Sequence, residues 1–65
     1  MRTTYSVEIE QGSYADDIFN GTFEECVQYC KDNDYTREAN DVRIAKILVD
    51  DDKTVAETLD IITEF

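Results

Sequence analysis

The eight residues VRIAKILV, Val42 to Val49, narrow most what this chain can become. They are rich in β-branched side chains and nearly continuous in apolar character, which predicts a strand. A lone strand leaves its backbone polar groups unpaired, so neighbours are required. The sequence offers them. TYSVEIE, Thr4 to Glu10, sets Tyr5, Val7 and Ile9 against Thr4, Ser6, Glu8 and Glu10. That alternation is the pattern of a half-buried strand. The turn formers Gly12, Ser13 and Asp16 follow, then a brief DIFN. These predict a hairpin with a short second strand.

Asn20-Gly21 is expected to break that strand, and Thr22 to begin a helix. Thr22 and Glu25 have the spacing of a capping box, in which hydroxyl and carboxylate each accept from the other residue's amide. Glu24 and Glu25 lie at the positive end of the helix dipole. Phe23, Cys26, Val27 and Cys30 recur at helical spacing and form one apolar face. The helix should fade at Asp32 to Asp34, and NDYTREAND (Asn33 to Asp41) should cross the surface as a polar connection.

DDDK, Asp50 to Lys53, predicts a turn. The last segment, TVAETLDIITEF, fits two periods. Alternation places Val55, Leu59, Ile61 and Phe65 together, with Glu57 and Thr63 out of pattern. Helical spacing groups Val55, Thr58, Leu59, Ile62 and Phe65, and offers Thr54 with Glu57 as a second capping box. The β-branched content and the turn just before it favour a strand. The fold class is therefore α+β: a single small domain over residues 1–65, with a ββαββ antiparallel sheet and one helix packed on one face. A chain of 65 residues lies near the lower size limit for folding unaided, so a homodimer is a natural possibility.

Little here points to catalysis or metal chemistry. The chain has no His, no Gly-rich phosphate loop and no nucleophile with an evident base, so it is not expected to be an enzyme. Cys26 and Cys30 are spaced C-x3-C, unlike the C-x2-C of redox motifs, and a helix does not readily close a disulfide at that spacing. Without a third Cys or any His, no zinc ligand set exists. Both thiols are expected to be small, buried hydrophobes. Asn20-Gly21-Thr22 matches the glycosylation pattern, but turn and cap account for all three residues. Asp50, Asp51 and Asp52 lack the alternating ligands and central Gly of a calcium loop. No metal and no cofactor are expected.

Charge is the informative property. Sixteen acids against six bases give a formal −10. Such a chain repels nucleic acid and anionic membrane, and can attract a basic protein surface. Between Thr3 and Cys30 stand Glu8, Glu10, Asp16, Asp17, Glu24 and Glu25, without a single Lys or Arg. These six are the candidate partner-binding residues. No apolar run approaches a membrane span of about 20 residues, and the N-terminus lacks a signal-peptide apolar region, so a cytoplasmic protein is expected.

IFNGTFEECVQYCKDND, Ile18 to Asp34, resembles small acidic proteins of bacteriophages and gut bacteria. In these a hairpin ends in a GT-aromatic-EE helix start, here Gly21 to Glu25, and a second hairpin follows. The resemblance covers about a quarter of the chain, and its motif is structural. It implies a phage-type context in a bacterial host, where small acidic proteins commonly inhibit host factors by imitating nucleic-acid charge. The expected function is an acidic protein–protein interaction module of that kind. The alternative is a structural or scaffolding homo-oligomer whose charge serves solubility alone.

Overall fold

A computed structural model describes residues 1–52 and 54–65. The elements run β1 (Arg2–Gln11), β2 (Tyr14–Gly21), α1 (Phe23–Asp32), α2 (Arg37–Asn40), β3 (Val42–Val49) and β4 (Val55–Ile62). The four strands make one sheet in the order β2-β1-β3-β4, with every neighbouring pair antiparallel. Lys53, which closes the expected DDDK turn, lies outside the described residues.

The two central strands earn their place by burial. In β3, Val42 and Ile44 point to one face, while Ala45, Ile47 and Val49 are offset by one and point to the other. All five are buried, so β3 is apolar on both faces, which explains its nearly continuous sequence. Val42 and Ile44 join Val7, Cys26 and Cys30 in the core beneath α1, with Phe19, Phe23, Tyr29 and Ile62 packed around them. Aromatic packing closes the rim: Tyr5 meets Phe23 edge-on at 5.5 Å and Phe19 stacks on Tyr29 at 4.5 Å. The other face, away from α1, carries a second cluster of Ala45, Ile47 and Val49.

The predicted ββαββ sheet is present, and the C-terminal segment is a strand. Three details differ from expectation. β2 is eight residues long and runs through Gly21, because β1 pairs with it from Tyr5 to Gln11 and a bulge opposite Val7 and Glu8 absorbs Ile18. The Gln11–Tyr14 hairpin needs only two loop residues, and Gly12 takes the positive φ of 64°. A Cβ at Gly21 would lie 2.9 Å from Glu25 Oε1, so a larger residue there would have to move the capping carboxylate. Finally, the polar connection contains a helical turn. Thr36 Oγ1 accepts from the Ala39 amide at 3.0 Å, and Asp41 ends the turn in the left-handed region.

The capping box of α1 is formed in both directions. The Glu25 amide donates to Thr22 Oγ1 at 3.1 Å, and the Thr22 amide donates to Glu25 Oε1 at 2.9 Å. Thr22→Ala is expected to cost about 1 kcal/mol. An unchanged urea midpoint in that variant would contradict the cap.

Candidate protein-interaction surface

The six acids of the base-free stretch are divided by the fold. Glu8 and Glu10 lie on the face of β1 away from α1. The β1–β3 register sets Arg43 directly across from Glu8. Arg43 Nε donates to Glu8 Oε1 at 2.9 Å, and its Nη1 donates to Glu10 Oε1 at 3.3 Å. From α2, Arg37 Nη1 reaches the same Glu10 oxygen at 2.8 Å. Two carboxylates and two guanidiniums thus share one network. The hydrogen bond from Arg37 is the main influence holding the Glu10 carboxyl below its ordinary range; desolvation opposes it, and the charges of Arg37 and Arg43 reinforce it.

The absence of bases near these acids in sequence therefore does not carry into space. Arg37 and Arg43 were the residues that local sequence missed. The signal for Arg43 lay in the pairing: once β1 and β3 run antiparallel, the parity that puts Val42 and Ile44 beneath the helix puts Arg43 beside Glu8.

The other four acids remain at the surface. Asp16 and Asp17 are exposed on edge strand β2. Both Asp17 carboxylate oxygens accept from Asn20 Nδ2, at 3.2 and 3.0 Å. Asp17 also lines a shallow depression of about 320 Å³ with Arg2 and Asn20, yet no ion pair joins it to Arg2. Glu24 is exposed in the first turn of α1, and Glu25 is engaged in the cap. Among the described residues, none of these four lies within ion-pair distance of a cation.

The cysteines sit on the inner face of α1 as free thiols. Burial pushes Cys26 up to about 11, with Cys30, Glu25 and Asp17 adding to the rise. Burial also raises Cys30. At neutral pH neither supplies an appreciable thiolate. Alkylation of the native protein by iodoacetamide is expected to run at least about tenfold slower than in denaturant; equal rates would place the thiols at the surface.

At the second turn, Asp50 Oδ1 accepts from the Asp52 and Thr54 amides, both at 3.0 Å. Asp51 lies 3.4 Å from the N-terminal amine. Among the described residues, no group of three or more acidic or thiol side chains is gathered for a metal ion. Likewise, no helix there is long and apolar enough to cross a membrane.

Comparison with protein-family models, with curated proteins and with solved structures found no match.

Proposed function

We propose that this protein is an acidic interaction module that occupies a basic, nucleic-acid-binding surface on another protein, in the manner of a phage-type inhibitor. The observation that carries this reading is the surface charge left after internal pairing. The Glu8–Glu10 network sets two acids against two bases, so the rest of the chain keeps the whole −10. Asp16, Asp17 and Glu24 are its most available members on the β2 and helix-start side. They project from an edge strand and a helix terminus, where a partner's Lys and Arg can approach without displacing a cation of any described residue. Complementary charge of this kind sets association rate and partner choice, and weakens with salt.

The test is capture of a basic partner from bacterial lysate at low and high salt, with duplex DNA as competitor. Capture is expected to fall with salt and to be displaced by DNA. It should also be lost when Asp16, Asp17 and Glu24 are all changed to Lys. Undiminished capture by that folded variant counts against this side of the molecule as the contact.

A structural homo-oligomer is the second reading. It is favoured by one observation, the exposed Val55, Leu59 and Ile61 on edge strand β4. Sedimentation across a hundredfold concentration range separates the two readings, because only the oligomer gains mass.

A further inference from the structure

β4 is an edge strand exposed along its whole length except at Ile62. Relative exposure reaches 49% at Val55, 44% at Leu59 and 39% at Ile61. Its register explains why the sequence pattern looked flawed. Two irregularities interrupt the β3–β4 ladder, so Ala56 and Leu59 fall between the paired positions. Val55, Thr58 and Ile61 then lie across from Val49, Ile47 and Ala45 on the open face. Glu57 and Asp60 lie across from Leu48 and Lys46, on the α1 side. Glu57 is thus rotated out of the apolar row. The edge strand thus carries Val55 and Ile61, with Thr58 between them, beside the second cluster on one face, and Glu57 and Asp60, followed by the core-packed Ile62, on the other.

We propose that β4 docks an extended segment of the partner protein in which apolar and basic residues alternate. The backbone edge offers unpaired amides and carbonyls for strand addition. Apolar side chains of the incoming segment extend the Val55–Ile61 row, and its Lys or Arg side chains meet Glu57 and Asp60. One edge group is already engaged, since the Ile61 amide donates to Asp60 Oδ1 at 2.9 Å. A base that draws the Asp60 carboxylate outward frees that amide for pairing.

Charge decides between this occupant and a second copy. Residues 54–65 contain Glu57, Asp60 and Glu64 and no Lys or Arg, and Lys46, across from Asp60 on β3, forms no ion pair with it. Two copies joined at β4 would bring the Glu57 and Asp60 carboxylates of both strands together, four in all, in molecules that each carry −10. Sheet edges are commonly protected by charge, often Lys. Acids in that role repel further copies of this chain while admitting a basic strand.

The proposal rests on the reading that the partner is basic, and its test separates the two claims. The probes are three labelled nine-residue peptides: alternating Lys and Val, Lys with Ser in place of Val, and Glu with Val. Binding is followed by fluorescence anisotropy and by amide chemical shifts. The Lys/Val peptide is expected to bind at least about tenfold more tightly than the Lys/Ser peptide, with the largest shifts in residues 55–62. Ile61→Ser, and separately Glu57→Lys with Asp60→Lys, should each remove that preference while circular dichroism stays native.

Equal binding of the two Lys peptides, with shifts confined to Asp16, Asp17 and Glu24, overturns the β4 site and leaves the acidic-module reading standing. Failure of both Lys peptides to bind overturns both claims. Dimerisation that Ile61→Ser abolishes replaces the basic segment with a second copy and also overturns the proposal.

Discussion

Ile44→Ala is expected to leave much of the protein unfolded at room temperature. Ile44 is fully buried in β3, between Val7 on β1 and Ile62 on β4, in the core beneath α1. Truncating a buried Ile costs about 2–5 kcal/mol, because the transfer free energy is lost and a cavity remains. A core in a chain this small rarely supplies more than about 3–5 kcal/mol of net stability. The two ranges overlap, so the variant falls near or beyond the point of unfolding. Ile61→Ala is the internal control. It removes the same atoms from the neighbouring strand, but at a position already 39% exposed, and should cost less than about 1 kcal/mol. Urea denaturation followed by circular dichroism compares them directly. Similar midpoints for both variants would contradict the placement of the core.

The elements that were legible in sequence are those whose signals are local. The 2-residue period of Tyr5, Val7 and Ile9 is a property of one strand, and the Thr22–Glu25 cap is a property of one helical turn. Both can be read without a partner. β2 was harder because its apolar content is low; Asp16 and Asp17 are in the strand because β1 pairs with them, not through propensity. In β4 the signal was present but phase-shifted. The two bulges reset the alternation, so a single-period template could not place Glu57.

The candidate surface suffered most from this limit. Glu8 and Glu10 are separated by 33 or more residues from Arg43, and Glu10 by 27 from Arg37. Composition along the chain made that half look free of cations, whereas antiparallel pairing brings in Arg43 and the α2 turn brings in Arg37. The same pairing leaves Asp16, Asp17 and Glu24 where the sequence placed them, at the surface and, among the described residues, with no cation within ion-pair distance. What a charge count measures is total excess, and only topology distributes it.

The ion network gives the second large effect, with a sign opposite to the one its surface charge alone suggests. Glu8 side-chain exposure is 17% and that of Arg43 is 26%, so the pair is screened less than an exposed salt bridge. Glu8→Lys removes a charge-assisted hydrogen bond and sets an ammonium against Arg43. The cost is expected to be about 2 kcal/mol, below that of a fully buried pair because water still reaches both groups. In a domain of this size that corresponds to a melting-temperature loss of roughly 8–16 °C. Glu8→Gln should lose less, since the amide oxygen can still accept from Arg43. Glu10 adds a dependence on pH. Its carboxyl is held below the ordinary value of 4.5, first by the hydrogen bond from Arg37. A carboxylate depressed on folding contributes stability above its unfolded value, and that contribution disappears as pH falls through the lower folded value. Glu10→Gln should therefore have its deficit at neutral pH and converge on the unmodified protein as both are taken well below 4.5. A constant deficit across that acid range would show that the Glu10 charge plays no part in the network. A Glu8→Lys variant with unchanged melting temperature would do the same for Glu8, and would return that acid to the free surface.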